Sequence, residues 1–133
     1  MVKIEKKYYF YAAHRNKEAG EKCGRIHGHT YDVKCTFEFK EMDNGITMLF
    51  SDIDKIAEPI IKYYDHYFIV YVNDPLAEVL SMANEPYRPV HFETSAENLA
   101  MWIFNKIRQK LPIVKIELAE TKSSTVIYEQ SIS

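Results

Sequence analysis

Glycine is scarce in this 133-residue chain: there are four, and three of them (Gly20, Gly24, Gly28) fall within nine residues. Cysteine is scarcer, with only Cys23 and Cys35, which excludes a disulfide scaffold. No apolar run reaches membrane-spanning length and no signal peptide is visible, so the expectation is a cytoplasmic, thiol-reduced protein without a membrane partner. Neither sign of charge dominates: 17 Lys and Arg stand against 19 Asp and Glu, a net charge of −2. That balance offers no electrostatic footprint for nucleic acid.

The remaining composition, 47% hydrophobic and 27% charged, is that of an ordinary folded domain, and residues 1–133 are expected to form a single one. A chain of this size buries a core but has little left to enclose a deep pocket of its own. A site shared between subunits is therefore expected.

The segment from Ile4 to Ala13 is rich in Tyr and Phe and reads as a strand. From Tyr31 to Lys40, apolar residues (Tyr31, Val33, Cys35, Phe37, Phe39) alternate with polar ones, the strongest strand signal in the chain. The turn at 42–45 leads to a short strand expected over Ile46 to Phe50. Ser51 or Asp52 caps a helix over 53–64, with Ile53, Ile56, Ile60 and Ile61 on one face and Pro59 counting against it. Residues 67–72 suit a short strand, and Asp74-Pro75 opens a helix to about Met82. An extended passage follows between Pro86 and Pro89. Thr94 or Ser95 starts the clearest helix, carrying Leu99, Ile103 and Ile107, and it ends before Pro112. Strands over 113–120 and 123–129 complete an α+β pattern, helices on one face of an antiparallel sheet.

The chemistry gathers around the glycine cluster. His27 and His29 are two apart, so an extended backbone points both imidazoles to one side. His14 ends the first strand, and a hairpin-like return brings it beside them. Three neutral imidazoles without an evident fourth ligand describe a zinc site with an open position. Two roles are open to Cys23: a fourth ligand that closes the site, or a reactive thiolate acting as base. In Asp65-His66 the Asp can orient the imidazole for proton exchange. Glu120 follows the alternation of Val114, Ile116 and Leu118, so it either faces the apolar side, matched to the amine and ring N–H of a pterin or guanine, or meets water where the strand ends.

In order, Phe10-Tyr11-Ala12-Ala13-His14, Cys23-Gly24-Arg25-Ile26-His27-Gly28-His29, Asp65-His66, Thr94-Ser95-Ala96-Glu97-Asn98 and Glu120-Thr121 resemble the 6-pyruvoyl-tetrahydropterin synthase family. The three-residue spacer between Cys23 and His27-Gly28-His29 favours its carboxy-forming branch. The resemblance implies the tunnelling fold: an antiparallel four-stranded sheet with two main helices on one face, joined across subunits, commonly in a hexamer of two trimers. It implies zinc on His14, His27 and His29, Cys23 as proton acceptor, and His66 with Asp65 and Glu120 as a relay. It implies Glu120 and Thr121 on the pterin ring, with Thr94, Ser95 and Glu97 lining its pocket. Lys22 and Arg25 are candidates for a triphosphate. The activity implied is a lyase converting 7,8-dihydroneopterin triphosphate to 6-carboxy-5,6,7,8-tetrahydropterin, acetaldehyde and triphosphate, in queuosine or deazapurine biosynthesis. The alternatives are the pyruvoyl-forming elimination and a non-catalytic module held together by zinc.

Overall fold

Strand β1 (Val2–His14) runs antiparallel to β2 (His27–Phe39), with Val2 opposite Phe39 at one end and His14 opposite His27 at the other. The computed structural model describes residues 1–132; Ser133, the last residue of the expected domain, lies outside the described residues. Tyr8, Phe10, Ala12 and His14 of β1 are buried on the same side as Tyr31, Val33, Cys35 and Phe37 of β2. The alternation read from Tyr31 onward therefore sets the buried face, and the strand itself begins earlier, at His27. Phe10 and Tyr31, directly opposite, stack with ring centroids 4.7 Å apart.

Outside this hairpin, α1 spans Phe50–Ile61, β3 Tyr67–Tyr71, α2 Leu76–Met82, β4 Tyr87–Val90, α3 Ala96–Arg108, β5 Ile113–Thr121 and β6 Ser124–Glu129. The strand order is β4-β3-β1-β2-β5-β6, a six-stranded sheet in place of the expected four. It is also mixed, since β3 lies parallel to β1 and β4 parallel to β3. A parallel pair needs a crossover, which α2 supplies between β3 and β4. That unit is hard to read from sequence because both strands are short and Pro89 sits in the second. As an edge strand β4 tolerates the missing N–H.

Helices α1 and α3 cover one face of the sheet, as expected. Ile53, Ala57 and Ile61 of α1 join Leu99, Ile103, Phe104 and Ile107 of α3 in one core with the buried residues of β1, β2 and β5. Each buried Ile, Leu or Phe stabilises by about 1.5–3 kcal/mol, so this shared face outweighs a helix cap of about 1 kcal/mol. Ser95 caps α3, its hydroxyl accepting from the Asn98 N–H at 3.2 Å. Helix α1 instead starts at Phe50 without a side-chain cap, so neither Ser51 nor Asp52 has the expected role. The expected strand over 46–50 is absent: Asp43 and Ile46 bond only to each other across a turn with Asn44 and Gly45 at positive φ.

Candidate active site

The β1–β2 register builds a cluster at the open end of the hairpin. His14 pairs with His27 and Ala12 with His29, so all three imidazoles project to the helix-covered side. Their ring centroids are 4.6, 4.8 and 5.3 Å apart, and their available ligand atoms lie within 4.8 Å of one another. His14 is 3% exposed, and its Nδ1–H donates to the Thr94 carbonyl at 2.6 Å. His27 likewise donates from Nδ1 to the Arg25 carbonyl at 2.7 Å. A carbonyl can only accept, so both rings carry their proton on Nδ1 and keep the Nε2 lone pair free.

The Nε2 atoms of His14 and His29 are buried without a hydrogen-bond partner. Leaving a buried acceptor unpaired costs about 1–3 kcal/mol, which a bound cation relieves. Burial pushes the His14 imidazole down to about 4; the Thr94 carbonyl opposes this, and His27 and His29 add to it. Burial also lowers His29, with Glu120 opposing. Neutral imidazoles are the form a metal requires. The triad fits a metal on these grounds, and Cys23, whose thiol is exposed, is not part of it.

Glu120 stands where β5 loses register between Ala119 and Thr121. Half-buried, it places Oε2 3.2 Å from His29 Nε2, but off the direction of a hydrogen bond. Its two sequence readings thus meet: the side chain follows the inward alternation and stops at the water boundary. Below the triad, the fully buried Tyr31 ring lies 5.4 Å from that of His29, and its hydroxyl has no partner. Burial raises the Tyr31 phenol, and Glu120 raises it further.

Asp65 and His66 dock on the other edge of β1. Asp65 Oδ1 accepts the Tyr11 N–H at 2.9 Å and Oδ2 accepts the His66 Nδ1–H at 2.8 Å, while the His66 N–H donates to the Tyr11 carbonyl at 2.6 Å. Burial raises the Asp65 carboxyl, but bonds from Tyr11 and His66 and the nearby charges of His66 and Lys62 outweigh it and hold the group below its ordinary value. His66 takes a left-handed backbone, φ 66°, and its side chain is 73% exposed. Both His66 and His29 line one cleft of about 460 Å³, together with Tyr11, Tyr67 and Glu85.

The remaining candidates are more scattered. Cys23 rides on the loop between β1 and β2, its carbonyl accepting the Asn16 N–H at 2.7 Å. Gly24 is needed there, because a Cβ would meet the Gly20 carbonyl at 3.0 Å. The exposed Arg25 pairs with Glu21 at 2.9 Å. Lys22 is exposed, Glu97 is exposed in the first turn of α3, and Thr121 faces Ser123 at 3.2 Å. Thr94, expected along a pocket, is 1% exposed and sits behind His14. Among the described residues, no hydrogen bond or ion pair joins the side chains of Cys23, Arg25, Glu97 or Thr121 to the triad, Glu120 or His66, and Arg25 reaches the triad only through its backbone carbonyl on His27. Sequence reading missed Tyr31, although it continues the His27, His29 alternation, and Arg15, whose partner Asp74 is 59 residues away.

Residues 3–131 match the family model described as 6-pyruvoyl tetrahydropterin synthase. The chain belongs to the 6-pyruvoyl tetrahydropterin synthase family. It is 31% identical over 141 residues to the 6-carboxy-5,6,7,8-tetrahydropterin synthase of Haemophilus influenzae, covering 98% of this chain and 100% of that protein. A dihydroneopterin monophosphate aldolase of Pyrococcus furiosus is 28% identical over 103 residues, 77% of this chain and 72% of that one. The solved 6-pyruvoyl tetrahydropterin synthase of Caenorhabditis elegans superposes with a TM-score of 0.73 at 21% identity, over 98% of this chain and 96% of that chain. The fold is therefore the tunnelling fold, with six strands in this chain, and the family makes the chain an enzyme of the tetrahydropterin synthase type.

Proposed function

We propose that this family member is a zinc-dependent lyase that converts 7,8-dihydroneopterin triphosphate and water to 6-carboxy-5,6,7,8-tetrahydropterin, acetaldehyde and triphosphate, in queuosine or deazapurine biosynthesis. The observation that carries this reading is a three-histidine cluster in which the Nε2 atoms of His14 and His29 lack partners, with His29 lining the same cleft as an oriented His66. The likeness to the Haemophilus protein supports the carboxy-forming outcome.

His14, His27 and His29 would hold zinc through Nε2, and the ion when bound supplies Lewis acidity toward the side-chain oxygens of the substrate. Glu120, with no aligned donor from the protein, accepts the ring N–H and amine of the pterin. Asp65 keeps the Nδ1–H of His66 in place, so His66 exchanges protons at Nε2 in the cleft. Cys23 is the proton acceptor, brought in by its loop. Thr121, Ser95 and Glu97 frame the pterin site, with Thr94 behind His14. Arg25 and Lys22 meet the triphosphate. The assembly is a homo-oligomer, a hexamer of two trimers, whose neighbouring subunit supplies the wall that a chain of 133 residues lacks.

The likeness to the Pyrococcus aldolase favours a second reading, retro-aldol cleavage of a dihydroneopterin side chain at the same cleft. Incubating the zinc-loaded protein with 7,8-dihydroneopterin triphosphate and weighing the products by mass spectrometry separates the readings. The expected products are the 6-carboxy pterin and acetaldehyde. A 6-pyruvoyl pterin without acetaldehyde replaces the proposal with the elimination reaction, and a 6-hydroxymethyl pterin replaces it with the aldolase. Unchanged substrate beside stoichiometric zinc leaves a non-catalytic module.

A further inference from the structure

Behind His14 lies a chain of bonds that no ligand role explains. The Thr94 carbonyl takes the His14 Nδ1–H at 2.6 Å, and the Thr94 hydroxyl oxygen lies 3.2 Å from the same nitrogen. That hydroxyl donates to the Arg15 carbonyl at 3.0 Å. The Arg15 guanidinium in turn grips Asp74 with two bonds, Nε to Oδ2 at 2.8 Å and a terminal nitrogen to Oδ1 at 2.5 Å. Asp74 Oδ1 also accepts the Leu76 N–H at 2.9 Å, at the first residue of α2. Three parts of the chain thus converge behind one imidazole: the end of β1, the turn into α2 and the residues before α3.

Burial separates this ion pair from the surface ones. The Arg15 and Asp74 side chains are 20% and 13% exposed, against 68% and 84% for Arg25 and Glu21. A bidentate, largely desolvated pair holds a geometry that an exposed pair does not. The geometry it holds here is the backbone of Arg15, which receives the Thr94 hydroxyl, and through it the Thr94 carbonyl that aims His14.

We propose that Thr94, Arg15 and Asp74 are positioning residues that fix the ring direction and tautomer of His14, so that the turn into α2 sets the metal affinity of a triad on another part of the sheet. This rests on the reading of the triad as a metal centre. Residues behind a metal-binding histidine typically change metal affinity by about 10–100-fold when removed.

The test is zinc affinity by competition with a chelator, together with the visible absorption of the cobalt-loaded protein. Thr94→Val, which keeps the carbonyl and the volume, weakens zinc by about tenfold and alters the cobalt bands, and Thr94→Ser restores both. Asp74→Asn, which retains an acceptor for the Leu76 N–H, weakens zinc in the same direction. Tyr8→Phe serves as the control: Tyr8 lies on β1 but remote from His14, and the change removes its 2.7 Å bond to Asp54 of α1 and leaves affinity unchanged. Wild-type affinity in both Thr94→Val and Asp74→Asn overturns the inference, as does an equal loss in Tyr8→Phe, which marks a general loss of stability. A wild-type protein that binds no zinc overturns the metal reading itself, and this inference with it.

Discussion

His14 and His66 both have Nδ1 held by an oxygen, and they make opposite use of it. His14 is buried at the end of a regular hairpin, its partner is a backbone carbonyl, and its Nε2 faces two other imidazoles. His66 is exposed after α1, its partner is the Asp65 carboxylate, and the residue lines a cleft. A neutral acceptor and burial suit the metal-ligand role proposed for His14, because they favour the uncharged ring. A carboxylate partner and exposure suit the proton-carrier role proposed for His66, because the carboxylate anchors Nδ1 and leaves the rest of the ring accessible. The surroundings separate the two proposed roles where the residue type leaves them open.

The largest expected effect breaks the two regions apart. Cys23→Ala retains one zinc per chain and loses about a thousandfold in turnover, measured by metal analysis beside product formation. Full activity in that variant sinks the assignment of Cys23 as base. Next, Asp65→Asn frees His66 to rotate and change tautomer, and turnover falls by about a hundredfold with zinc content unchanged. Loss of zinc in this variant would show that the two regions are one unit.

The smallest effect is on stability. The hydrogen-bonded Arg15 guanidinium holds the Asp74 carboxyl below its ordinary value. The contribution of this pair is therefore fully present above the unfolded carboxyl value near 4 and is lost as pH falls through the lower folded value. Wild type should lose about 1 kcal/mol more than Arg15→Met on acidification below pH 4, read from urea midpoints. Equal acid dependence in the two proteins would show that Asp74 gains nothing from Arg15.

The triad was legible in the sequence because its determinants are local. Alternation fixed the face of His27 and His29, and a hairpin return was the simplest route for His14. The two helices on one face were equally plain from the spacing of Ile53, Ile61, Leu99, Ile103 and Ile107. The parallel additions of β3 and β4 were not, because pairing Ala12 with Tyr67 and Phe68 with Tyr87 is a tertiary choice between short segments. The same distance in sequence hid the Arg15–Asp74 pair. For Cys23 the spacing allowed a fourth ligand, but the Asn16 N–H on its carbonyl and the Gly24 N–H on the Gly20 carbonyl fix the loop, and the thiol is exposed.

The left-handed backbone of His66 sets the terms on which evolution or an engineer can alter that position. Every L-residue with a Cβ meets a penalty of about 1 kcal/mol there, and β-branched side chains meet more. The histidine is thus held against the local preference of its own main chain, by the Tyr11 carbonyl and the Asp65 carboxylate. His66→Gly and His66→Ala both remove the imidazole, yet the glycine variant should melt at the higher temperature. If His66 has its proposed role, the position exchanges thermal tolerance for a catalytic imidazole, and a screen that selected only for heat resistance would favour glycine there.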